Sequence, residues 1–144
     1  MIEQDTIRLL RECDAGIKMG ISSIDEVLDN VHSSTFKQKL CEFRAEHTAL
    51  QKQLTELLDK YHDDGKEPNV AARGMSWIKT NIKLLNDDSD KTIADLMTDG
   101  CNMGIKSLRK YLSQYEAADL ASKSITKQLI DLEQRMLNES ATYL

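Results

Sequence analysis

Two segments of this chain nearly repeat each other. Residues 16–28 and 100–112 both follow the pattern G-x-x-M-G-I-x-S-(I/L)-x-x-x-L, where x is any residue. Their central glycines, Gly20 and Gly104, are 84 residues apart (104 − 20). Around both segments, apolar residues recur at steps of three and four, which indicates one face of an amphipathic helix. The repeat therefore predicts a helical unit that is used twice.

The same apolar pattern predicts two helical hairpins. Hairpin 1 covers about residues 2–62 and hairpin 2 about residues 89–140. A short turn between two long helices makes them antiparallel neighbours. Adding 84 to the first turn, at 31–34, gives 115–118, where a second turn is also expected. The sequence thus predicts that the offset of 84 residues between the two hairpins applies to both of their helices.

The segment between the hairpins predicts a crossover. A linker at residues 62–69 holds the only proline of the chain, and a short crossover helix is expected at about 70–86, with the Trp77 ring over the bundle and Leu85 facing inward. For the second helix, Thr35 is the expected N-cap, with Ser33 and Ser34 as alternatives. We expect residues 1–144 to form a single domain, an all-α antiparallel four-helix bundle with a crossover helix.

Charge and composition argue against several classes of function, among them nucleic-acid binding and membrane binding. The formal net charge of −5 argues against a surface for nucleic acid or anionic membranes, because both need concentrated Lys and Arg. No apolar run is long enough for a membrane span, and the polar start is not a signal peptide, so we expect a cytoplasmic protein. The three cysteines have neither zinc nor redox spacing, and Cys13 and Cys41 are expected to be buried and reduced.

Several short motifs carry a family resemblance. They are Cys13-Asp-Ala-Gly16, Thr98-Asp-Gly100, Gly65-Lys-Glu-Pro68, and Arg73-Gly74 followed by Trp77-Ile-Lys79. With them, roughly the whole chain resembles the small bacterial ferritin-like proteins of unassigned function. The resemblance implies a ferritin-like bundle with a di-iron centre. In that centre a glutamate follows the glycine in the first and third helices, and acidic or histidine residues come from the second and fourth.

The expected ligands are largely missing from this sequence. Ile17 and Cys101 stand where the resemblance implies glutamates, and counting from the turns places His47 and Asp131 at the same height. An inward Arg44 would add positive charge there. The sequence therefore predicts no intact di-metal site and no cofactor, and it favours a non-enzymatic structural or interaction protein that self-associates through a bundle face.

Two other functions stay open at this point. One is a metal-binding or redox protein that uses His47, Cys101 and Asp131, with Glu42 or Glu46 recruited, for Fe, Mn or Zn. The other is a small-ligand pocket in the bundle core. The simplest expectation for His47 is a core histidine that is hydrogen-bonded to residue 128 or 131.

Glycines inside the predicted helices need a compensating role, because each costs about 1 kcal/mol relative to alanine. Four glycines are of this kind: Gly16, Gly20, Gly100 and Gly104. We expect them to be structural, with Gly20 and Gly104 allowing a neighbouring helix to approach closely. Leucine at either position should then destabilise the fold by more than helix propensity predicts.

Overall fold

The regular secondary structure in the described part of the chain is α-helical. The computed structural model describes residues 3–68 and 77–144. Its helices are α1 (Glu3–Leu28), α2 (Ser34–Lys60), α3 (Trp77–Leu85), α4 (Asp90–Gln114) and α5 (Leu120–Ala141). No strand occurs within these residues, so the prediction of an all-α protein is confirmed. Across the same ranges, none of the helices has both the length and the apolar character that crossing a bilayer requires.

The helices pack as two hairpins that lie against each other. α1 pairs with α2, and α4 pairs with α5, while α2 also packs on α5 and α1 packs on both α4 and α5. The short helix α3 lies against α1 and α4. Apolar side chains from all five helices, chiefly leucine and isoleucine, form one buried cluster between them.

Hydrogen bonds at the two ends of the bundle fix the helix directions. At one end, the Asp90 carboxylate accepts from the backbone N–H groups of His32 (2.7 Å) and Ser33 (2.8 Å), so α4 begins beside the turn that ends α1. At the other end, the Asp119 N–H donates to the Thr6 hydroxyl (2.8 Å). α1 is therefore antiparallel to α2 and α4, and the connection between the hairpins spans the length of the bundle.

Local capping explains where three of the helices begin. Ser33 caps α2, Ser89 caps α4 and Asp119 caps α5, and each side chain accepts from a backbone N–H three residues further along. Such a bond satisfies one of the N–H groups that a helix start leaves without an intrahelical partner. The expected cap Thr35 is therefore wrong, and the alternative Ser33 is confirmed.

The offset of 84 does not extend to the second helices of the hairpins. Their N-caps, Ser33 and Asp119, are 86 residues apart (119 − 33), because α4 continues to Gln114 while the matching end of α1 is Leu28. Two residues turn a helix by about 200°. Buried residues that correspond at 86 are Phe36 and Ser122, Leu40 and Thr126, Phe43 and Leu129, His47 and Glu133, Leu50 and Met136, and Leu54 and Ser140. The single offset predicted from the sequence is wrong for these helices.

Other placements also differ from the sequence prediction. Cys41 is exposed rather than buried, and Arg44 points outward to an ion pair with Asp25. α3 ends at Leu85, close to the predicted end, but Leu85 is 58% exposed rather than inward because α3 contacts the bundle through Ile78 and Ile82. The expectation for the Trp77 ring, like the part of the crossover helix predicted at residues 70–76, lies outside the described residues.

Candidate functional site

A buried histidine and a buried glutamate meet at the centre of the bundle. His47 on α2 is 0% exposed, and Glu133 on α5 is 7% exposed. The imidazole Nδ1 lies 2.7 Å from the Phe43 carbonyl oxygen, and Nε2 lies 3.1 Å from Glu133 Oε1. A carbonyl only accepts, so Nδ1 carries a hydrogen and donates it. One further proton must lie between Nε2 and Oε1, and the second carboxyl oxygen of Glu133, Oε2, remains an acceptor whichever group holds it.

Cys101 is the third polar group of this cluster. Its thiol is 2% exposed and lies beside Glu133. Burial raises the pKa of the Cys101 thiol well above its usual range, and the nearby Glu133 carboxylate and its hydrogen bond raise it further. The side chain therefore stays a neutral thiol at neutral pH, which makes it a poor nucleophile and a poor metal ligand.

Asp131, in contrast, lies outside the cluster. Its side chain is 69% exposed and forms an ion pair with Arg135 at 2.9 Å. Arg135 also forms an ion pair with Glu46, at 3.0 Å, which connects the outer faces of α2 and α5. Glu42 is paired with Lys39 on the same outer side. Of the three residues expected to bind metal, the structure brings together His47 and Cys101, and Glu133 takes the place expected for Asp131.

Glu133 could have been found from the sequence by a better estimate of the second turn. Asp119 is a strong N-cap residue, and counting from it rather than from the repeat gives the offset of 86. His47 is confirmed as a buried core histidine. The prediction of its hydrogen-bond partners is wrong, because Gln128 faces outward and forms a hydrogen bond with Ser124.

The central glycines of the repeat have different surroundings. A Cβ atom added to Gly20 would lie 2.5 Å from His47 Nε2 and 2.7 Å from its Cδ2. At Gly104 the nearest atom would be Glu133 Oε2, at an ordinary contact distance of 3.6 Å. The predicted close approach is therefore present at Gly20, against α2, and absent at Gly104.

A groove runs between α1 and α4 over this cluster. Its volume is about 450 Å³, and all four helical glycines contribute to its walls because they have no side chains to fill it. Glu133 and Leu129 of α5 form its floor, and residues 66–68 and Ile78 border it. Four methionines also line it: Met19, Met97, Met103 and Met136. Flexible thioether side chains suit a surface that adapts to an apolar ligand.

Charges at the rim of the groove are neutralised in pairs. Lys66 lies 2.6 Å from Glu12, and Lys18 lies 2.9 Å from Glu67. The hydrogen bond that Lys66 donates to Glu12 raises the pKa of Lys66, although partial burial of the amine works in the opposite direction. These pairs hold the linker after α2 against α1. Among the described residues, the carboxylate of the groove without a lysine or arginine partner is Glu133, which pairs with His47.

The cluster does not fit the di-metal centre that the family resemblance implies. Both ring nitrogens of His47 are engaged, one carboxyl group is present and the thiol is neutral, whereas two cations need several carboxylates. Within residues 3–68 and 77–144, no group of three or more His, Cys, Asp or Glu side chains is arranged to hold a metal ion.

Comparison with known proteins gives no relative from which to carry over a function: the chain matches no protein-family model, no curated protein and no solved structure.

Proposed function

We propose that this protein is a non-enzymatic, ferritin-like structural or interaction protein without an intact di-metal site. The connectivity supports the ferritin-like part of the proposal. Two antiparallel hairpins are joined by a connection that spans the bundle, as in folds of that type. The acidic net charge of −5 is consistent with a cytoplasmic protein that does not bind nucleic acid.

The observation that carries this proposal is the contact between His47 and Glu133. It occupies the centre of the bundle, and it satisfies the imidazole with protein groups on both sides. The adjacent Cys101 thiol is held neutral, so the cluster offers no activated nucleophile. A hydrogen-bonded buried pair of this kind serves the packing of the core.

Elemental analysis tests the absence of a metal centre. Protein purified without chelator should contain Fe, Mn and Zn far below one atom per chain, and His47→Gln should not change these contents. Asp131→Asn is the matched control, because it removes a charge from the outer face of the same bundle. Stoichiometric metal in the wild-type protein that is lost in His47→Gln would overturn the proposal.

A metal-binding or redox protein is the second candidate. The observation in its favour is that His47 and Cys101 both contact Glu133, so that nitrogen, sulfur and oxygen ligand types belong to one buried cluster. Zinc accepts all three ligand types, and Fe or Mn would also use the nitrogen and oxygen ligands. The set differs from the predicted one in that Glu133 replaces Asp131. The same elemental analysis, repeated with Glu133→Gln, separates this candidate from the first.

Self-association is part of the leading proposal. A broad surface depression between α2 and α5 carries both charge signs, including Glu46, Lys127 and Arg135, and its edge holds Leu120, which is 86% exposed. A surface with both signs can pair with a second copy of itself. Light scattering should then give twice the chain mass of 16.3 kDa. Leu120→Asp should return it to the monomer mass, and a wild-type monomer at high concentration would contradict self-association.

A further inference from the structure

The groove between α1 and α4 is a cavity of ligand size with one polar group at its floor. Its volume of about 450 Å³ lies in the range of small-molecule sites, which are mostly apolar with few polar groups. We propose that it binds a small amphipathic molecule whose polar end donates a hydrogen bond to Glu133, with an amine or a hydroxyl as the donor. This inference goes beyond the structural role proposed above.

Glu133 determines the chemistry of the polar end. Its Oε1 is engaged by His47, while its Oε2 lies on the side of Gly104, 3.6 Å from where a Cβ atom added to that glycine would be. Oε2 is an acceptor in either protonation state of the pair, because the shared proton lies on the Oε1 side. The neighbouring Cys101 thiol is at most a weak donor to this carboxyl group. A ligand that donates therefore satisfies Oε2, whereas a carboxylate ligand would place acceptor against acceptor.

The walls determine the rest of the ligand. The four methionines and four glycines give an apolar, adaptable surface. α1 lines the groove from Glu12 to Ser23, which is a length of about 16 Å at the helical rise. The paired charges at the rim, such as Glu12 with Lys66, offer no free cation for an anionic head group. An extended apolar body with a single donor group matches both features.

Three probes with ten carbon atoms each test this inference: decylamine, decanol and decanoate, each below its micelle concentration. Isothermal titration calorimetry of the full chain should show binding of decylamine and decanol, with decanoate weaker by about tenfold or more. Equal binding of decanoate, or no binding of any probe, would overturn the inference.

Variants then separate the acceptor from the cavity. Glu133→Met removes the acceptor at similar volume, so the preference for decylamine over decanoate should fall by about tenfold. Asp131→Asn, on the outer face of the same helix, should leave that preference unchanged. Gly104→Leu should abolish binding of all three probes while circular dichroism shows the helices retained. An unchanged preference in Glu133→Met, or unchanged binding in a folded Gly104→Leu protein, would contradict the proposal.

Discussion

The two hairpins carry the same glycine motif but pack around it differently. In hairpin 1, the His47 ring lies directly against Gly20, so the space that the missing side chain leaves is filled by α2. In hairpin 2, the corresponding residue is Glu133, and a Cβ atom added to Gly104 would lie at an ordinary contact distance of 3.6 Å from its Oε2. A sequence repeat therefore shows where helices pack, but the residue on the opposite helix decides how closely its side chain approaches the glycine.

This difference divides the centre of the bundle into a closed side and an open side. His47 is 0% exposed, whereas Glu133 contributes to the floor of the groove. The contact between the two residues joins the hairpins at 3.1 Å. Stability should therefore respond to any change in side-chain volume on the closed side, whereas the open side should tolerate such a change.

The largest effect on stability is expected for His47→Ala. The substitution leaves a cavity in a closely packed region and removes the partner of the buried Glu133, at a cost of about 3 kcal/mol in the free energy of unfolding. Urea denaturation measures it. His32→Ala is the control, because the side chain of His32 is 76% exposed and its backbone N–H, which bonds to Asp90, is retained. Equal stability of the two variants would show that the centre is not closed around His47.

A smaller effect that depends on pH is expected at the start of α5. Burial of Asp119 opposes its ionisation, but hydrogen bonds from Ser122 and Tyr61 outweigh it and keep the pKa of Asp119 below its ordinary value. A lowered pKa means that the stabilisation is complete above the unfolded-state value, about 3.9, and is lost as the pH falls through the folded-state value. The N-cap of α2, Ser33, has no such dependence.

Asp119→Asn should therefore lose up to about 1 kcal/mol of the free energy of unfolding at pH 7, and the difference from the wild type should disappear as the pH falls below the folded-state pKa of Asp119. Thermal melts between pH 2 and pH 7 measure the difference. Asp29→Asn, an exposed position at the end of α1, is the matched control and should follow the wild type at every pH. A constant difference between Asp119→Asn and the wild type over this range would contradict the assignment.

The smallest perturbation is chemical labelling of the native thiols. Cys41 is exposed, whereas burial raises the pKa of Cys13 to about 12 and raises that of Cys101 further. Native protein at pH 7.5 should therefore react at one thiol with an alkylating reagent, and at all three after unfolding. Mass spectrometry identifies the site. Native labelling of Cys101 at a rate similar to Cys41 would show that the groove floor is open to solvent.

Much of the fold could be predicted from the sequence. The apolar steps of three and four located α1, α2, α4 and α5 to within a few residues, because burial of one helix face leaves a strong periodic pattern. The end of α4 was harder to predict, because two additional helical residues hardly change that apolar pattern. That small difference moved Asp131 outward and Glu133 inward.

The candidate site was predicted only in part for the same reason. His47 belongs to an unbroken apolar stripe, so its burial could be predicted. The groove could not, because an empty volume depends on which side chains meet across helices far apart in the sequence. Cys41 shows a related limit: a free cysteine is usually buried, and only the orientation of α2 shows that this thiol faces outward.

The paired substitutions Gly20→Ala and Gly104→Ala test the central comparison most directly. Overpacking against His47 should outweigh the gain in helix propensity, so Gly20→Ala should lower the free energy of unfolding by about 1–2 kcal/mol. Gly104→Ala should raise it by up to about 1 kcal/mol, since its Cβ makes only an ordinary contact. Opposite signs in urea denaturation are the predicted result, and changes of the same sign and size would contradict the account.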